Sequence, residues 1–269
     1  MKFGLFTCGY QRGALEHAFA DAADFGYDFI ELWGGRPHAY APDILRGGAA
    51  GILRLEEKYG LPVAVYTPEH NAYPYNYMLG SEAQWEDCVN YLSEAVRAGK
   101  AVGAGYTLIS VGHGGDAPPE ARMERLRRTL RALSKTAEEC GTGLLLETLT
   151  PYESNTCTTL PELEEALRDA PPALYGMCDL AAPFSQGEDP AEYFRRPGAR
   201  CAHLHITDSD GVSDAHLVPG EGVMPLAKIL GDIRRAGYDG TATIELVTRY
   251  IDAPGEAARR AIDKVREIL

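Results

Sequence analysis

The sequence is poor in the features that mark membrane, secreted or nucleic acid-binding proteins. No apolar run approaches the length that spans a bilayer. Met1-Lys2 leads directly into FGLFTCGY, which is too short and too polar at its end for a secretory hydrophobic region. The six cysteines, Cys8, Cys88, Cys140, Cys157, Cys178 and Cys201, are scattered and form no CxxC pair. A short disulfide scaffold would look different, and free thiols in a reducing cytoplasm are the simpler reading. Positive charge is short: 26 Lys and Arg against 39 Asp and Glu give 26 − 39 = −13. Such a chain repels phosphate backbones and anionic membrane surfaces, so neither nucleic acid nor membrane is expected as a partner. No linker, low-complexity tract or second composition zone breaks the 269 residues. The expectation is a cytoplasmic protein acting on neutral or cationic small molecules.

What the chain does have is an even alternation. Strand-like runs stand at KFGLFTC (2–8), DFIELW (28–33), PVAVYTPE (62–69), YTLISVG (106–112), GLLLET (143–148), LYGMCDL (174–180), CAHLHIT (201–207) and TATIELV (241–247). Several are continuous apolar stretches, as expected of strands buried on both faces of a parallel sheet. Helical patterns lie between them at 13–26, 81–104, 119–141, 160–170, 224–237 and 254–269, with Ser81 placed as an N-cap and Gly26 and Gly141 as stops. The basic helix faces read as solvated surface. Eight such units predict one (β/α)₈ barrel of the TIM type over residues 1–269. The alternative, a doubly wound open sheet, lacks its GxGxxG turn after the first strand, where FTCGYQRG stands instead. Long loops rich in aromatics, Pro and Gly, GGRPHAYAPD and TPEHNAYPYNYMLG, follow the second and third strands and would sit on the catalytic rim.

Four residues stand out because they interrupt apolar strands near their C-terminal ends. Glu147 closes the fifth, Asp179 the sixth, His205 lies in the seventh and Glu245 in the eighth. In a parallel barrel those ends share one rim. A lone strand glutamate is more often a rim charge and a lone histidine a satisfied core residue, but four at equivalent places on consecutive strands are not independent. Converging carboxylates repel unless a cation neutralises them. Oxygen-rich ligation with one nitrogen suits Mn²⁺, Co²⁺ or Mg²⁺, with Zn²⁺ also admitted. His203, two residues before His205, points the same way in a strand and is a ligand, a supporting donor or a substrate contact. His113 after the fourth strand is either a site residue or loop surface.

The motifs MKFGLFTCGYQR, ELWGGRPHAYAPD, YTPEHNAYPYNYMLG, AGYTLIS, ETLTPYESN, HLHITDSDGVSDAHLVPGEGVMPL and IELVTRY resemble the sugar phosphate isomerase/epimerase superfamily of xylose isomerase-like TIM barrels, and within it the ketose 3-epimerases. The resemblance runs over essentially the whole chain. It implies that Glu147, Asp179, His205 and Glu245 bind one divalent metal, Mn²⁺ or Co²⁺ foremost with Mg²⁺, Ni²⁺ or Zn²⁺ as further choices. It implies that Glu147 and Glu245 are the acid/base pair and that Glu153 contacts substrate near C1. Trp33, Tyr66, His203 and His113 are expected to line the substrate site, and a homo-oligomer is expected. Epimerising C3 of a 2-ketose requires removing a proton next to a carbonyl, and a metal on O2 and O3 would stabilise the enediolate.

Two positions depart from the pattern of free-sugar 3-epimerases. Their histidine three residues after the strand-six aspartate is Ala182 here, and their arginine six residues after the strand-seven histidine is Gly211. The same loop instead carries Asp208, Asp210 and Asp214, which would suit the protonated C1 amine of a fructosamine or would simply be solvated acids. Competing readings are another polyol or ketose isomerase at the same metal, an AP endonuclease-like DNA repair protein, against which the net charge argues, and a non-catalytic sugar-binding barrel.

Overall fold

The computed structural model describes residues 1–269. Eight parallel strands, β1 (Lys2–Phe6), β2 (Phe29–Trp33), β3 (Val63–Thr67), β4 (Tyr106–Ile109), β5 (Gly143–Glu147), β6 (Leu174–Asp179), β7 (Cys201–Ile206) and β8 (Thr241–Ile244), each pair with their sequence neighbours. The ring closes through β1 and β8, with Lys2 opposite Thr241 and Leu5 opposite Ile244. This is the expected TIM-type barrel.

Strand parity places the side chains that the strands carry. Successive residues of a strand point to opposite faces. In β5, Leu144 and Leu146 join the large core under the helices, while Leu145 joins Val65, Leu108 and Met177 in a separate cluster inside the barrel. Glu147 shares the inward parity of Leu145. In β7, Leu204 and Ile206 belong to the outer core, which turns His203 and His205 inward. In β2, Ile30 and Leu32 are outer and Glu31 is inner and fully buried.

All strands but β2 stop earlier than their apolar runs suggested, because the last residues of those runs bend into the rim loops. The one consequence for the site is that β8 ends at Ile244, so Glu245 lies one residue beyond the strand rather than in it. Its N–H still donates to Ile206 O at 3.0 Å, which holds it at the rim.

The helices form where expected. Glu82–Ala101 starts with a capping box in which Ser81 Oγ accepts from Gln84 N–H at 3.4 Å and Gln84 Oε1 accepts from Ser81 N–H at 2.8 Å. Pro119–Cys140 ends on Gly141, whose φ of 63° is a left-handed cap. Ala49–Tyr59 was not anticipated, because the glycines at 47, 48 and 51 obscure its start. The short Ala181–Gln186 and Glu192–Arg195 were likewise missed. The last helix, Pro254–Ile268, lies against the first, Leu15–Phe25; Arg266 donates to Phe25 O at 2.8 Å and Gly26 O at 2.6 Å. No helix is long and apolar enough to cross a membrane.

Candidate active site

At the C-terminal rim, Glu147, Asp179, His205 and Glu245 converge around one cavity of about 340 Å³. His205 is the centre. Its Nε2 meets both oxygens of Glu31 at 3.1 Å, from below. Its Nδ1 faces Glu147 Oε1 at 3.2 Å and Glu245 Oε2 at 3.1 Å, from above. Glu31 accepts only, so it fixes the ring proton on Nε2. The neutral ring then presents a bare Nδ1 lone pair to two carboxyl groups, a contact satisfied by a proton on the ring or on one carboxyl, or by a metal ion. The ligand-type atoms of Glu147, His205 and Glu245 lie within 4.8 Å of one another, as do those of Asp179, His216 and Glu245. The two groups share Glu245, so the four expected ligands form one connected cluster of hard oxygens and one imidazole. That donor set fits a divalent cation.

Supporting contacts hold each carboxylate. Ser110 Oγ donates to Glu147 Oε2 at 2.6 Å, and Ala181 N–H donates to Asp179 Oδ1 at 2.9 Å. His216 Nε2 lies 3.2 Å from Glu245 Oε2 and 3.9 Å from Asp179 Oδ2. Its Nδ1 is buried with no partner. His70 is tied at both nitrogens, with Ser110 N–H donating to Nε2 at 2.9 Å and Nδ1 lying 2.7 Å from Pro68 O. Burial pushes it down to about 4, so it is neutral.

The electrostatics follow from crowding. Burial, then the charge of Glu245, raises Asp179 to about 7. Burial also raises Glu147, against the pull of His205. Burial acts the same way on Glu245, but His205 and His216 together override it and hold that carboxyl low. Burial opposes charge on His205, yet Glu31 and Glu245 hold its pKa well above the ordinary value. Glu153 rises to about 8 through burial and the neighbouring Asp214, with which it shares the Thr150 hydroxyl, at 3.4 and 3.1 Å.

The other expected contacts divide. Trp33 and Glu153 line the cavity, and Trp33 Nε1 donates to Glu69 Oε2 at 2.6 Å. Asp214 lines it too. The expectation for Tyr66 is corrected: its parity is outward, it is fully buried, and its hydroxyl donates to Ala39 O at 2.7 Å. His203 points inward as expected but sits a layer below the rim. Its ring meets Glu31, Thr243 and Thr241 at 3.2, 3.0 and 2.8 Å, so it touches no substrate and instead braces Glu31. Asp208 is not a substrate group either, because its carboxylate accepts backbone N–H groups from Ser209, Gly220, Gly222 and Met224. Asp210 caps its own turn, accepting from Val212 and Ser213 N–H at 2.9 and 2.8 Å. His113 lies in an adjoining cavity.

Sequence reasoning missed Glu31 and His216. Glu31 carries the same signal that revealed Glu147, an acid of inward parity inside an apolar strand. His216 sits in an irregular loop, and only its metal-capable side chain marked it.

The xylose isomerase-like TIM barrel family model matches residues 19–268. Fructoselysine 3-epimerase of Shigella flexneri is 47% identical over 271 residues, spanning 100% of this chain and 98% of that protein. A crystal structure of D-psicose 3-epimerase in the presence of D-fructose covers 100% of this chain and 99% of its own with a TM-score of 0.80 at 16% identity. That of the IOLI protein with a binding zinc atom covers 100% and 98% with a TM-score of 0.83 at 17% identity. At such identities the two structures speak for the fold alone.

Proposed function

The chain belongs to the xylose isomerase-like TIM barrel family, and on that premise we propose that it is a metal-dependent sugar 3-epimerase acting on C1-amino-substituted ketoses, interconverting fructoselysine and psicoselysine. The observation that carries the reading is the placement of Glu147 and Glu245 on the same His205 nitrogen, at 3.2 and 3.1 Å, in a cavity lined by six carboxylates and no lysine or arginine.

The reaction breaks the C3–H bond beside the C2 carbonyl and re-forms it on the opposite face. Glu147 and Glu245 come from β5 and the end of β8, so they reach the substrate from different directions. One takes the proton and the other supplies one. Ser110 orients Glu147 and His216 orients Glu245. A divalent cation held by Glu147, Asp179, His205 and Glu245, with Mn²⁺ or Co²⁺ best suited to the donors, would polarise the carbonyl and stabilise the charge that develops as C3 loses its proton.

Substrate charge follows from the lining. Beyond the four cluster residues, Glu69 and Asp214 add negative charge, and Glu153, raised to about 8, would ionise against a cation. A phosphorylated sugar or a nucleic acid would find no basic counter-charge there, whereas a secondary ammonium on C1 would meet carboxylates of opposite charge. The identity to fructoselysine 3-epimerase supports the same substrate. The Ala182 and Gly211 departures remove two side chains that would otherwise contact a free ketose.

The test is incubation of the metal-loaded enzyme with fructoselysine and with free ketoses in D₂O. Deuterium at C3 of fructoselysine, with loss of turnover after chelation and dialysis, is expected. Full activity in the dialysed, metal-free protein, or no C3 deuterium in any ketose, overturns the proposal.

A further inference from the structure

The cavity over the metal-type cluster adjoins a second one of about 670 Å³, and Asn71 and Glu153 line both. The ketose and its chemistry need only the first. The second is walled by the loop after β3 and the start of helix Glu82–Ala101. Its apolar wall includes Pro74, Tyr75 and Leu79. Its charged end is Asp87, which is exposed and has no ion-pair partner within the protein; no lysine or arginine lines the space.

The walls are preformed. Tyr75 stacks on Tyr91 with ring centroids 3.8 Å apart and planes within 7°. The Arg125 guanidinium donates to Tyr77 O at 2.6 Å and Leu79 O at 2.8 Å, pinning the loop to the helix beneath. His113 Nδ1 accepts Gly115 N–H at 3.0 Å, so its neutral ring carries the proton on Nε2 and offers it as a donor. The chamber thus presents an apolar stretch, a carboxylate and an N–H donor.

Resting on the epimerase reading, we infer that this second cavity holds the substituent on the C1 nitrogen: an aliphatic chain ending in an α-amino acid head, as in a lysine side chain. A ketose seated in the first cavity with its tail in the second must pass its C1 nitrogen beside Glu153, the only charged residue common to both. The cationic nitrogen then lies against the Asp214 carboxylate and displaces the proton from Glu153, the methylenes lie against Leu79 and Pro74, and the α-ammonium faces Asp87. His113 Nε2–H is the donor for the α-carboxylate.

Three amino ketoses test this, differing only beyond the C1 nitrogen: an N-methyl fructosamine, fructosyl-cadaverine, which keeps the terminal ammonium, and fructosyl-aminohexanoate, which carries a carboxylate instead. The metal-loaded enzyme should prefer the ammonium tail to the carboxylate tail and to the methyl compound, mainly through KM. Asp87→Lys should lower the ratio of ammonium-tail to carboxylate-tail kcat/KM by about fivefold, the scale of reversing one exposed charge pair for two tails of opposite sign. Leu79→Ser, which removes apolar wall without adding charge, should narrow the advantage of the ammonium tail over methyl. Equal kcat/KM for all three compounds overturns the subsite, and so does a tail preference that both variants leave intact. If none of the three exchanges its C3 proton, the epimerase reading itself fails, a result separate from the other two.

Discussion

Glu147 and Glu245 face the same imidazole nitrogen, but Glu245 is also held by His216, and the two are pulled to opposite sides of the usual carboxylate range. Replacing either by Gln keeps its size and one oxygen but removes the proton-transfer group, so turnover should fall by about 10² to 10⁴-fold in each. The remaining carboxylate still reaches one face of C3. Each variant should therefore wash solvent deuterium into a different epimer without interconverting them, as read by NMR; exchange into the same epimer from both removes the two-base assignment. Glu31→Gln leaves one acceptor oxygen for two imidazoles, so His205 loses its fixed tautomer and Mn²⁺ affinity should drop by about tenfold or more in a titration followed by electron paramagnetic resonance. Glu153 sets a pH dependence whose sign is definite. Its folded value of about 8 stands above the ordinary 4.5, so the folded, metal-free protein holds a proton that the unfolded chain releases. Stability is then lost as pH rises between about 5 and 8, and Asp179, raised to about 7, acts in the same direction. Thermal melting of the metal-free protein across that window should show the decline, and Glu153→Gln should flatten it.

Among the elements, the loop between β7 and the helix Leu226–Arg235 changes most from its sequence reading. Its three aspartates look alike in the sequence, yet one staples the loop, one caps a turn and only Asp214 faces the cavity. Asp208 accepts from Gly220 and Gly222 N–H at 2.8 and 3.1 Å and from Ser209 and Met224 N–H at 2.9 and 3.0 Å. Asp208→Ala should lower stability by about 1–3 kcal/mol in denaturant unfolding, through unsatisfied donors, while the preference for amino ketoses over free fructose stays in place. A changed preference at unchanged stability would return Asp208 to the substrate. Strand parity explains what was legible. The apolar runs disclosed all eight strands, and an acid or histidine breaking a run disclosed the rim cluster, because burial on both sides leaves no bland reason for a charge there. The same parity, applied to Tyr66 and Glu31, would have sent the first outward and the second inward. His216 and the division of labour among the loop aspartates were not legible, since irregular backbone has no period from which a side chain's direction follows.

For the molecule as a whole, the rim cluster crowds carboxyl groups whose mutual repulsion a cation would relieve. Mn²⁺ or Co²⁺ should raise the melting temperature, by the equivalent of about 2.7 kcal/mol at a hundredfold excess over Kd, and His205→Ala should lose most of that gain; a melting temperature indifferent to both metals would count against the cluster as a metal site. The closure of the ring has a separate consequence, for biosynthesis. The register sets Lys2 beside Thr241, 241 − 2 = 239 positions apart. During translation β1 emerges first of the eight strands and waits for the neighbour that leaves the ribosome last among them. Until then the nascent sheet has two open edges, one at each end, and Glu245 has not yet joined the rim. Open parallel edges invite pairing with other chains. A chain terminated before Thr241 should therefore collect with aggregates and chaperones instead of persisting as a soluble, inactive barrel.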